Sequence, residues 1–127
     1  MRKVCYIAGP ILHGDLRRNI HRGCEAGVAL MRAGLSVIVP HLSCFMGQLY
    51  HGDGCIPQYT VSDFTADDWY AMDLGLVAVS HALLRLPGIS TGADLEAAKA
   101  RECDIPVFVR VEDVIEWARW SAKEVTP

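Results

Sequence analysis

The chain has 127 residues, of which 51% are apolar and 21% charged, with a formal charge of −3. That length supports one domain with a real core, residues 1–127, but not two. The scattered Lys and Arg residues leave no electrostatic footprint for nucleic acid, and no apolar run is long enough to cross a membrane. Met1-Arg2-Lys3 followed by a short β-type run does not read as a signal peptide. Five cysteines, an odd number without the density of a disulfide scaffold, point to a reducing cytoplasm.

In chain order, Val4–Ala8 is a β-rich run ended by Gly9-Pro10. Asp15 or Asn19 can start a helix that runs to about Arg32 and closes at Gly34. Leu35–Val39 is a second strand, stopped by Pro40. Residues 41–64 are rich in Gly, His, Cys, Ser and Asp and read as an irregular excursion. Thr65 opens a helix whose core stripe is read as Trp69, Met72, Leu76 and Val79. Ala82–Leu86 is the third strand, Thr91–Cys103 a helix, Ile105–Val109 a fourth strand and Glu112–Ala122 an amphipathic last helix. Trp117 and Trp120 are assigned to its packing face, and Cys5, Cys24 and Cys103 to core elements; His13 and His21 are assigned to solvent.

Strands that are apolar throughout and alternate with helices mean a parallel sheet covered on both faces. The fold class is therefore α/β: a single-domain flavodoxin- or Rossmann-like three-layer sandwich of four to five strands, order 2-1-3-4. In such sheets ligands sit at the carboxyl ends of the strands. The segments there are Gly9–Gly14, Pro40–Ser43, Gly88–Gly92 and Arg110–Glu112.

The run Pro87-Gly88-Ile89-Ser90-Thr91-Gly92-Ala93-Asp94-Leu95-Glu96 is the most informative of these. Ser90 or Thr91 can cap the helix, and Thr91 to Asp94 has capping-box spacing. The free amides of a first helical turn favour an anionic or hydroxyl-rich ligand. Ala93, Ala97 and Ala100 form the inward stripe, and Glu96 shares it. An inward carboxylate at a strand end is costly unless it has a use. Tyr6, His41 and Glu96 converge on one crevice, with Asp73 on the margin of the preceding helix's apolar stripe. Carboxylates, a Tyr and a His around a polar pocket suit glycosyl transfer, in which one carboxylate attacks or stabilises an oxocarbenium-like carbon.

Tyr6-Ile7-Ala8-Gly9-Pro10, Val39-Pro40-His41, Trp69 with Met72-Asp73, and Leu86-Pro87-Gly88 leading to Ser90-x-Gly92-Ala93-x-x-Glu96 together resemble the nucleoside 2-deoxyribosyltransferase superfamily, above all its small bacterial and phage members. The resemblance spans roughly residues 3–110 and extends to deoxynucleoside-monophosphate N-glycosidases. It implies an enzyme that cleaves or exchanges the N-glycosidic bond of a nucleoside or nucleoside monophosphate. Glu96 then resembles the nucleophile, Tyr6 the residue that positions it, and Asp73 the acid that contacts the sugar or helps the base depart. Ser90 resembles a residue that meets the 5′ end, and Gly9, Pro10, His41, Gly88 and Gly92 complete the expected substrate-binding set. The resemblance also implies a homodimer or higher homo-oligomer, a small-molecule partner and no cofactor. One departure stands out: monophosphate hydrolases of this group carry a Ser and an Arg after the first strand, where this chain has Pro10 and Leu12. Arg17 or Arg18 can substitute from the helix start.

Two readings compete. The same crevice can bind or sense a nucleotide without catalysis. Alternatively, His41-x2-Cys44 and His51-x3-Cys55 have spacings that a zinc-stabilised interaction protein could use, although the standard Cys-x2-Cys pairs are absent. No metal ligand is assigned from these spacings.

Overall fold

The computed structural model describes residues 2–45 and 65–124. Its elements are β1 (Val4–Ala8), α1 (Leu16–Arg32), β2 (Ser36–Ile38), a 3-10 turn (Pro40–Phe45), α2 (Ala66–Ala78), β3 (Ala82–Arg85), α3 (Thr91–Glu102), β4 (Val107–Phe108) and α4 (Val111–Glu124). All pairings are parallel and the strand order is β2-β1-β3-β4, so the fold is a Rossmann- or flavodoxin-like α/β sheet. Most of the expected 41–64 excursion lies outside the described residues. Its start is the 3-10 turn.

Alternation along the strands sorts side chains onto two faces. Cys5, Ile7, Ala82 and Leu84 pack with Ala26 and Leu30 of α1, Leu35, and Val114 of α4. Tyr6, Ala8 and Leu83 pack with Val77 of α2 and Ala93, Ala97 and Ala100 of α3. Each fully buried Ile or Leu contributes roughly 1.5–3 kcal/mol, and such residues sit on both faces.

Local signals explain the helix ends. Asp15 caps α1 by accepting from Arg18 N at 3.1 Å. Thr65 and Asp68 form a reciprocal capping box on α2. Ser90 alone caps α3, accepting from Ala93 N at 3.0 Å. The Thr91–Asp94 capping box read from sequence is not formed, because Thr91 is already the first residue of α3; Asp94 pairs with Arg85.

Three further expectations are corrected. In α2 the inward residues are Trp69, Asp73, Leu76 and Val77, whereas Met72 and Val79 are exposed. Inward contact follows i, i+4, i+7, i+8 from Trp69. In α4, Trp117 packs on Phe108 with centroids 5.7 Å apart and lies 5.9 Å from Lys3 Nζ, while Trp120 faces out. Trp120 stands six residues beyond the buried Val114, which turns it away from the sheet. Cys5 is buried, but Cys24 is only half-buried and Cys103, at the end of α3, is exposed.

Candidate functional site

A cavity of about 240 Å³ opens at the carboxyl edge of β1 and β3. Gly9, Ile11, Leu12 and His13 of the β1–α1 loop form one wall; Trp69, Tyr70 and Asp73 of α2 form the second. The third is the start of α3, Ser90 to Ala93, with Glu96 one turn further in. The volume sits just below the roughly 300 Å³ at which small-molecule pockets usually begin.

Glu96 is 7% exposed among its alanines, as its helical position requires. The Tyr6 hydroxyl, itself wholly buried, donates a hydrogen bond to Glu96 Oε2. Burial pushes the Glu96 carboxyl up to about 7; the Tyr6 hydrogen bond opposes the shift, nearby Asp73 adds to it, and Arg85 opposes it. Burial also raises Asp73, to about 6, and its Oδ1 is enclosed without a hydrogen-bond partner among the described residues. Tyr6 is driven far above its ordinary value, by burial first and then by the charges of Glu96 and Asp73. Tyr6 therefore stays a hydrogen-bond donor at any working pH. The result is two carboxyls that titrate near neutrality, held beside a fixed donor at the edge of an open cavity.

Arg85 is half-buried at the end of β3. Its guanidinium donates to Asp94 Oδ1 at 2.9 Å, to the Gly88 carbonyl at 3.0 Å and to the Leu86 carbonyl. It thus fixes the β3–α3 loop. Asn19 does the same for the opposite wall: its amide donates to the Ile11 and His13 carbonyls at 3.0 and 2.8 Å.

Of the sequence candidates, Glu96, Asp73, Gly9, Ser90 and Gly92 line the cavity, and Tyr6 stands directly behind Glu96. Pro10, His41 and Gly88 do not line it. After Pro40 the chain turns under α1, and the fully buried His41 ring seats over Gly23, where a Cβ would come within 2.8 Å of Nδ1. Burial lowers the pKa of His41, with the Pro10 carbonyl nearby opposing it, so this ring is a neutral packing group. Pro10 is buried, and its ring occupies the space beside Gly88. His13, assigned to solvent, is exposed and also borders the cavity.

Ile11 and Thr91 fall in the segments expected at the ligand edge, whereas sequence reasoning missed Tyr70 and the loop-holding role of Asn19. The available signal was Asn19 itself, a polar residue on the inward row completed by Gly23, Ala26, Gly27 and Leu30. Cys5 does not compete as a nucleophile here: burial pushes its thiol up to about 12. Among the described residues no group of three or more His, Cys, Asp or Glu is placed to hold a metal. His51 and Cys55 of the zinc reading fall outside the described residues. No helix among the described residues is long and apolar enough to cross a membrane. Neither a family model nor a curated relative matches the chain.

Proposed function

We propose that the protein cleaves or exchanges the N-glycosidic bond of a nucleoside-type substrate, with Glu96 as nucleophile. The observation that supports this best is the buried Tyr6–Glu96 pair at a cavity shared with Asp73. A nucleophilic carboxylate needs one oxygen aimed and the other held. The Tyr6 hydroxyl holds Oε2, which leaves the remaining oxygen for attack.

In the first step Glu96 forms a C–O bond to the anomeric carbon and the C–N bond breaks. The electron pair leaves on the base nitrogen, which takes a proton from Asp73. In the second step water attacks the same carbon, returns its proton to Asp73, and the bond to Glu96 breaks with its electron pair. A second base in place of water gives exchange instead of hydrolysis. The cycle starts from ionised Glu96 and protonated Asp73. With Asp73 raised to about 6 and Glu96 to about 7, the pair holds one proton in roughly this interval, mainly on Glu96, so the productive arrangement is the less populated form of the singly protonated pair. The expected kcat/KM profile is a bell with its maximum near pH 6–7 for a substrate with a neutral base.

The direct test is mass spectrometry of protein quenched during turnover on deoxynucleosides and their monophosphates. A sugar adduct on the peptide carrying Glu96, absent in Glu96→Ala, is the expected result. Because alanines surround position 96, the variant should keep its fold while base release disappears. A fully active Glu96→Ala protein would sink the reading. A bound ligand with no base release from the intact protein would favour a binding role.

A further inference from the structure

The cavity wall carries two carboxyls, Asp73 and Glu96, and neither Lys nor Arg. Residues 46–64 and 125–127 contain no Lys or Arg either, so the segments outside the described residues bring no such charge. Arg17 and Arg18, exposed in the first turn of α1, do not line the cavity, and Arg85, at the end of β3, is taken up by Asp94 and two backbone carbonyls. Its charge is matched before any ligand arrives. The first turn of α3 offers about half a positive charge, less than the two carboxylates when ionised. Apolar and aromatic surface from Leu12, Trp69 and Tyr70 completes the walls, which lowers the local dielectric and strengthens whatever charge effect remains.

Resting on the N-glycosidic reading, we propose that this cavity sorts its substrates by charge: it prefers nucleosides whose base is cationic, accepts neutral ones, and refuses those bearing a phosphate. A cationic base also changes the chemistry. When the C–N bond breaks, its electron pair neutralises the departing ring nitrogen, so no proton need come from Asp73. Glu96 still forms the bond to the anomeric carbon, and Asp73, already ionised, takes the proton of the attacking water. Cationic substrates therefore lose the alkaline limb of the pH profile that neutral ones show.

A matched panel separates the two charges. Nicotinamide riboside carries a permanent positive charge, its reduced dihydro form is neutral and nearly the same size, and the 5′-monophosphates of both add the phosphate. Affinities are measured by calorimetry at pH 8 with the intact protein. The expected order is cationic riboside, neutral riboside, then either monophosphate, with about tenfold between the first two. The gap should shrink in high salt and in Asp73→Asn. Leu12→Arg, at the exposed rim of the cavity, should raise the affinity for the monophosphates relative to the ribosides. A monophosphate that binds the wild-type protein more tightly than its riboside overturns charge sorting and leaves the glycosidic reading standing. Equal affinity for the cationic and neutral ribosides also overturns it. Binding of none of the four overturns charge sorting, while base release from deoxynucleosides decides the glycosidic reading separately.

Discussion

Under α1 and α4, Cys5, Ile7, Ala82 and Leu84 meet Ala26, Leu30, Leu35 and Val114 in a wholly apolar cluster. One residue along the same strands, Tyr6 and Leu83 meet Val77 and a helix face made of alanines and one glutamate. The two faces share a backbone and differ in what fills them. Large aliphatic side chains close the first. Small ones on α3 keep the second shallow, and that leaves room for a hydroxyl and two carboxyls at its edge. Both faces bury apolar surface, but only the second also holds carboxyls that are unfavourable where they stand.

Substitutions on the two faces should therefore differ in sign as well as size. Leu30→Ala removes a fully buried side chain from the apolar face and should cost about 2–5 kcal/mol in urea unfolding, alike at pH 5 and pH 8. Glu96→Gln should do the opposite. The folded carboxyl sits at about 7 against an ordinary 4.5, so between those values the folded protein holds the proton more tightly than the unfolded chain. Its stabilising effect is complete below pH 4.5 and lost as pH rises through 7. The glutamine variant should thus be about 1–3 kcal/mol more stable than wild type at pH 8, with the gain vanishing by pH 4.5. A gain of the same size at both pH values would dissolve the contrast between the faces. His41 acts against this trend, since its lowered value makes it a liability only when pH falls below its ordinary 6.5.

The smallest effect concerns the loop wall. Asn19→Ala deletes two part-buried amide hydrogen bonds, to the Ile11 and His13 carbonyls, each worth about 1 kcal/mol. If Asn19 positions the Ile11–His13 wall, KM should rise about fivefold with a smaller change in kcat. Asn19→Asp should not rescue it, because a carboxylate cannot donate to those carbonyls. An unchanged KM in both variants would reduce Asn19 to a purely structural residue.

Much of this was readable in the sequence, and the exceptions have physical causes. The parallel α/β sheet follows from short apolar strands separated by helices. Glu96 was placed inward because Ala93, Ala97 and Ala100 define one face without ambiguity. The α2 stripe was misassigned because Trp69 to Val79 is apolar on nearly every side, so periodicity could not fix which residues turn in. Asp73, read at the margin of that stripe, is half-buried beside the buried Trp69 and Val77 and lines the cavity. His41 was misplaced because a strand end marks where a side chain starts, whereas the following 3-10 turn decides where it goes. The hydroxyls Ser90 and Thr91 are adjacent, and only the backbone geometry, with Ser90 extended at φ −162°, selects the cap.

Gly88 touches nothing in the cavity, yet its backbone is at φ 117°, and a Cβ there would fall 2.7 Å from the Pro10 ring. The loops after β1 and β3 are interlocked at that point, one wall of the crevice resting on the other. A tolerance map from saturation mutagenesis, scored on activity, should accordingly single out position 88 with the site residues. Sequence drift can change what the walls display at Leu12 or Thr91 far more readily than it can change the distance between them.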